Sequence, residues 1–304
     1  MSEGFPINSG MWRTHGISTK LLHGNPRKHL CGIAILTNRH VTEQKMQVAR
    51  SRSFGSFSEV AEFYPGRPPY SRRLLQSLID QVKSVTESPV FGDIGAGTGA
   101  IAYSLADMGL SGYAVEPDRQ MMEVGQRLNP TGAVSWINAS GECTGLADGS
   151  LDWICYSTSF HLTDTSEALR ESMRILRPGG SFTITILQSD LETDPFHLEI
   201  ENRIRDMAPA LRRARTLGLG PTGTYEPLLN QYPGFGNCIY LATTEAISMS
   251  EEQYVNFWAC SHDIPSQVAP EVWDSILQMI ADTYRSRQPA GLRFRSRAWH
   301  AQRE

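Results

Sequence analysis

The chain is poor in the features that would staple, span or charge a fold. Its five cysteines among 304 residues, Cys31, Cys143, Cys155, Cys238 and Cys260, are odd in number, widely spaced and never Cys-x-x-Cys. That excludes a disulfide framework or zinc knuckle and points to a reducing, cytoplasmic setting. Apolar stretches such as Ile33-Ala34-Ile35-Leu36 stop after four residues, against the roughly 20 a bilayer helix needs. No secretory apolar segment follows the start, so neither a membrane partner nor export is expected. With 40% apolar and 20% charged residues, 26 Gly and 17 Pro, collagen, coiled coil and low-complexity disorder are excluded.

Charge is uneven. Residues 1–52 carry eight Lys/Arg against two acids, Glu3 and Glu43, leaving a body of net charge −10. The leader holds four of the eight histidines, His15, His23, His29 and His40, at no metal-ligand spacing. It reads as a poorly ordered tail. A targeting peptide would want an Arg-rich amphipathic helix that is not evident; a natural start at Met46 is the remaining reading. The acidic body lacks the clustered cations that displace counterions from duplexes, so no nucleic-acid partner is expected.

From Ser71 onward helix and strand alternate. Leu74, Leu75, Leu78, Ile79 and Val82 line one face of a helix. Short apolar runs over Val90–Ile94, Tyr113–Val115, Val134–Ile137, Leu151–Tyr156 and Ser181–Leu187 read as strands, with helices over Ile101–Met108, Met121–Leu128 and Ser166–Leu176 between them. Repeated βα units predict a parallel sheet covered on both faces, with ligands beyond the strands' carboxyl ends. Residues 189–270 break the rhythm and read as a substrate-covering insertion, with strand-like Asn237–Thr244 inside it. Leu292–Ala298 predicts a last, antiparallel strand.

Asp93-x-Gly95-Ala96-Gly97-x-Gly99 sits between the first strand and its helix, where a ligand approaches the main chain closely. Gly95, Gly97 and Ala100 also satisfy the dinucleotide spacing, with Glu116 about 20 residues on. The loop thus announces an adenosine-containing ligand and does not separate a nicotinamide cofactor from S-adenosylmethionine. An NAD(P)-dependent reductase and a non-catalytic S-adenosylmethionine-binding protein stay open on the loop alone.

The ordered set formed by Asp93, the glycine loop, Glu116 closing the second strand, Ala139–Asp152 and Leu176-Arg177-Pro178-Gly179-Gly180 resembles the class I S-adenosylmethionine-dependent methyltransferases. Tyr64-Pro65-Gly66-Arg67-Pro68-Pro69-Tyr70 and Ser159-Phe160-His161 are similar to their methyltransferase type 11, trans-aconitate methyltransferase-like small-molecule branch. The resemblance implies a Rossmann-like, seven-stranded, mostly parallel sheet over 53–304 with helices on both faces, an antiparallel last strand and a helical insertion at about 189–270. It implies S-adenosyl-L-methionine as cofactor, S-adenosyl-L-homocysteine as product, no metal, and a methyl acceptor that is a small, secondary metabolite methylated on oxygen or carbon. Whether the chain forms a homo-oligomer is left open.

In that reading Glu116 accepts both ribose hydroxyls as charge-assisted bonds, Asp93 lies near the donor ammonium, and Gly95, Ala96, Gly97 and Gly99 face the methionine portion. Pro117, Met121, Ser140, Gly141, Glu142 and Ser157 complete the donor site, and Tyr64, Arg67 and Tyr70 fold over the donor carboxylate. Ser140 stands where many relatives have Asp. His161, just past the fourth strand, is the candidate general base, because imidazole titrates near neutrality; Tyr156 and Ser159 are the groups that could orient the acceptor. Asp190, Glu192, Asp194, His197 and Glu199 could suggest a metal, but Asp194-Pro195 is a good helix start with acids at its positive end. The insertion's aromatics, Phe196, Phe235, Tyr240, Tyr254, Phe257 and Trp258, suit an apolar acceptor or plain core.

Overall fold

The computed structural model describes residues 57–129, 132–213, 224–236, 238–261 and 263–304; the leader expected over 1–52 and the Leu217–Gly223 loop lie outside them. Strands β1 (Val90–Ile94), β2 (Ser111–Val115), β3 (Val134–Ile137), β4 (Leu151–Ser157) and β5 (Leu176–Ser189) pair in parallel. With β6 (Ile239–Ile247) and β7 (Leu292–Gln302) they form one seven-stranded sheet, in the order β3-β2-β1-β4-β5-β7-β6. β7 runs antiparallel to both its neighbours, as Leu292–Ala298 led one to expect.

The strand-like run inside the expected insertion is the edge strand β6, Ile239–Ile247. It pairs with β7 along its whole length, from Ile239 opposite His300 to Ile247 opposite Leu292. Without it the 11-residue β7 would present a long open edge. β5 also begins earlier than the Pro-Gly-Gly run suggests: Leu176 pairs with Leu151, and the register slips between Leu151 and Trp153 before Ser181 resumes it. The irregular stretch is held by Arg177, which reaches Asp152 at 2.5 Å.

Alternation along the strands sorts side chains between two cores. Phe91, Trp153, Cys155 and Ala298 pack under α1 (Arg72–Lys83) and α2 (Ala100–Asp107). Ile94, Ile154, Tyr156, Phe182 and Ile184 pack under α4 (Thr165–Ile175) and α6 (Glu226–Gln231). Helix α3 (Arg119–Leu128) is capped by Asp118, which accepts from the Gln120 and Met121 amides. A third core joins α5 (Pro195–Met207), α7 (Glu251–Ala259) and α8 (Pro270–Arg287) through Ile200, Tyr254, Trp258, Trp273, Ile280 and Phe294.

Asp194 caps α5, accepting from the Phe196 and His197 amides at 2.9 and 3.2 Å. Asp190 holds the Thr193 hydroxyl, Glu199 pairs with Arg287, and His197 lies buried against the Tyr254 hydroxyl at 3.0 Å. Among the described residues, no helix is long and apolar enough to cross a membrane.

Candidate active site

The glycine loop follows β1 because its backbone takes a path that side chains resist. Gly95, Gly97 and Gly99 have φ of +68°, +60° and +83°, the left-handed region that glycine enters freely. The Gly95 and Ala96 amides both donate to the Val115 carbonyl of β2, at 2.8 and 3.0 Å, which folds the loop across the neighbouring strand end. A Cβ on Gly95 would lie 2.5 Å from Ser159 Cβ, so the loop and the turn after β4 approach as closely as two backbones with one side chain between them can. A Cβ on Gly97 would meet Met121 at 3.3 Å and the Tyr64 ring at 3.9 Å. Loop crest, Met121 and Tyr64 therefore converge.

Glu116 closes this cradle. One carboxylate oxygen accepts from the Gly97 amide at 2.7 Å and the other from the Asp118 amide at 2.8 Å. Burial raises its pKa, and the two amides oppose that. Asp93 lies beneath the loop, 0% exposed, with Oδ2 accepting from the Ala102 amide at 3.1 Å. Burial pushes its pKa up to about 7, since no cation faces it: its charged or titratable neighbours are Glu116, Tyr70 and Cys155. Ser157 lies beside the Asp93 carboxylate and, with the Ala102 amide, opposes that rise.

The 3-10 segment Ser58–Gly66 lies against the loop side of the molecule, packing Val60 and Phe63 on Cys260 and Ala61 on Met121 and Val124. Ser58 anchors it by donating to Asp118 at 2.5 Å. Arg67 donates to the Tyr64 hydroxyl at 3.1 Å and stacks over that ring with its guanidinium carbon 5.1 Å from the centroid. The Tyr70 hydroxyl lies 2.9 Å from Thr158 Oγ1, and burial pushes its pKa up to about 12. His161, in the short turn Phe160–Leu162 beyond β4, has its pKa pushed down to about 4, first by burial and then by the Arg67 charge. Arg67 thus links Tyr64, which lies beside Gly97, to His161.

Two candidate acceptor-orienting groups are not placed for that task. Tyr156 is 1% exposed and turned into the α4-side core against Phe160 and Phe182, its hydroxyl donating to the Gly141 carbonyl at 3.3 Å. Strand alternation decides this: Tyr156 falls on the face of Ile94 and Ile184, opposite to Asp93. Ser159 spends its hydroxyl on the Ile94 carbonyl at 2.6 Å, tying β1 to the β4 turn. Glu142 is likewise engaged, accepting from the Asp164 amide at 2.9 Å. Ser140 is half-buried and bridges to Cys143 across the tight turn that carries Gly141, and the Pro117 carbonyl accepts from Asn138 at 2.9 Å. The rest of that turn is locked by Thr144, whose amide and hydroxyl both donate to Glu171.

Thr158 was not legible in the sequence. It has φ +57°, an outlier for a β-branched residue, and nothing in the run Ser157-Thr158-Ser159 announces it.

The region from β1 into β5, residues 92–184, matches the model of the methyltransferase domain family. The chain is 34% identical over 130 residues to an uncharacterized methyltransferase of Mycobacterium tuberculosis, covering 43% of this chain and 50% of the relative. It is 30% identical over 115 residues to the demethylmenaquinone methyltransferase of Renibacterium salmoninarum, covering 38% and 47%. It thus spans about half the length of these relatives. A solved structure titled as a type II methyltransferase candidate, from Anaeromyxobacter dehalogenans, shares the fold at TM-score 0.54 and 20% identity, covering 78% of this chain and 97% of that one. The matched span holds the loop, Glu116 and the Ala139–Asp152 turn in the order described, and residues 92–184 are those that the methyltransferase domain family model matches.

Proposed function

We propose that the chain transfers a methyl group from S-adenosylmethionine to an oxygen or carbon of a small-molecule acceptor. The observation that carries this reading is the closure of the glycine loop onto Glu116, with the Gly97 amide on its carboxylate at 2.7 Å. The carboxylate accepts hydroxyl groups, as a ribose requires, and the Gly97 amide that a diphosphate would take is spent on it. The cradle that a Cβ on Gly97 would fill, between Met121 and Tyr64, fits an adenosyl donor. Glu116 would hold the ribose, Met121 one face of the adenine, and Arg67 the donor carboxylate. When bound, S-adenosylmethionine supplies a methyl group already activated by a positive sulfur, so the protein's task is alignment in a water-poor site.

His161 would act on the acceptor. Burial and Arg67 keep its imidazole neutral above about pH 5, so its free nitrogen can accept a hydrogen bond, and then a proton, from an acceptor hydroxyl. Pairing of Arg67 with a carboxylate would remove one of the two causes of that low value and make the imidazole a stronger base. A relative named for demethylmenaquinone supports a small-molecule acceptor. The test is calorimetry with S-adenosylhomocysteine and with NADH, followed by incubation with methyl-labelled donor and metabolite extract. Micromolar S-adenosylhomocysteine binding and one labelled small product are expected; binding of NADH alone would overturn the reading.

A further inference from the structure

Thr158 occupies a backbone conformation that costs free energy, at the point where the cover, the glycine loop and the His161 turn come together. Its φ of +57° lies in the left-handed region, which is strained for a β-branched residue. The local structure over-determines it. The Thr158 amide donates to the Thr185 carbonyl of β5 at 2.8 Å, and its Oγ1 accepts from the Leu187 amide at 3.4 Å and lies 2.9 Å from the Tyr70 hydroxyl. The next residue, Ser159, is fastened to the Ile94 carbonyl at 2.6 Å, and His161 follows within one turn.

The Tyr70 hydroxyl meets no other side chain among the hydrogen bonds of the described residues, and Tyr70 is the last residue of the cover before Ser71 caps α1. Eighty-eight residues of chain separate the two hydroxyls. The contact is therefore a side-chain hydrogen bond between the cover and the turn that carries His161. An ordinary extended or helical Thr at this position would point its hydroxyl elsewhere, because χ1 directions follow the backbone.

We propose that Thr158 is a positioning residue: its hydroxyl fastens Tyr70, and through it the Tyr64–Tyr70 cover, over the donor site in register with His161. This rests on the donor reading above. The backbone strain is the cost of aiming that hydroxyl, and the Tyr70 bond holds the cover closed on the donor.

The test uses the full chain. S-adenosylhomocysteine affinity and hydrogen exchange over residues 58–70 are measured for wild type, Thr158→Val, Thr158→Ser, Tyr70→Phe and the Thr158→Val/Tyr70→Phe double variant. Valine keeps the shape and loses the hydroxyl; serine keeps the hydroxyl. Loss of one such hydrogen bond should weaken S-adenosylhomocysteine by about two- to tenfold and speed exchange over 58–70 in the bound state. Thr158→Ser should restore both, and the double variant should be no weaker than either single. Wild-type affinity in Thr158→Val, failure of serine to rescue, or additive losses in the double variant would overturn the proposal. Should Thr158→Val fail to fold, Tyr70→Phe against wild type removes the same bond from the other side and decides the matter alone. Absence of S-adenosylhomocysteine binding by wild type would instead sink the donor reading.

Discussion

The two ends of the sheet build their parts of the site by different physics. On the β1–β3 side the ligand surface is mostly main chain: three left-handed glycines, the Val115 carbonyl holding two loop amides, and one acid at a strand end. Every member lies within a short stretch of sequence. On the β4–β7 side it is made of side chains from remote segments. Tyr70 meets Thr158, His161 senses Arg67, and the helices of the insertion pack on β7 through Phe294. Main-chain sites tolerate little and leave a motif behind; side-chain sites tolerate more and leave none.

The sharpest break in that comparison is Gly95→Ala. The left-handed backbone and a Cβ 2.5 Å from Ser159 Cβ combine a conformational cost with overpacking, for an expected destabilisation of about 2–5 kcal/mol by urea unfolding. An alanine variant of native stability would show that the loop can move away from the β4 turn.

Next comes pH, which sets the two regions against each other. His300 on β7, buried and 2.9 Å from the Thr183 hydroxyl, has its pKa pushed down to about 4 by burial. The unfolded histidine takes up its proton near pH 6.5, so this group's share of stability is lost as pH falls from about 6.5 towards 4, by up to about 3 kcal/mol. Asp93 acts the other way. Its raised value of about 7 means that its share is present at and below the ordinary carboxylate range and is lost as pH rises through 7. Unfolding between pH 4 and 8 should therefore become flatter on the acid side in His300→Gln and on the neutral side in Asp93→Asn. Unchanged profiles would remove burial as the cause.

Glu116→Gln should weaken S-adenosylhomocysteine by about 1.5–3 kcal/mol, the scale of hydrogen bonds to a charged group, read by calorimetry. Equal affinity would separate the acid from the ribose. The smallest effect sharpens the comparison best. His161→Ala should leave S-adenosylhomocysteine affinity within about twofold while methyl transfer to any identified acceptor falls by at least about tenfold. A donor-affinity loss as large as that of Glu116→Gln would place His161 in the donor half instead.

How far the chain could be read follows the same division. The helix over Leu74–Val82, the strand over Val90–Ile94 and the cap at Asp194 were legible because periodicity, a glycine loop and an Asp-Pro step are local signals. The run Asn237–Thr244 was legible as strand-like, but its place at the sheet edge was not, because that depends on β7, which follows about fifty residues later. Tyr156 and Ser159 looked available because they flank a strand end. Which face each takes is a matter of register against β1 and β5, and register is a property of pairs of strands.

Local chemistry alone determined a glycine turn backed by an acid, since glycine enters those backbone angles freely and a strand-end carboxylate lies within reach of the turn. Folding decided which hydroxyls are spent on main chain and which are aimed at the site. It set the left-handed Thr158 against Tyr70, a pairing that no spacing in the sequence encodes, because the distance between two side chains is fixed by the packing of the segments that carry them.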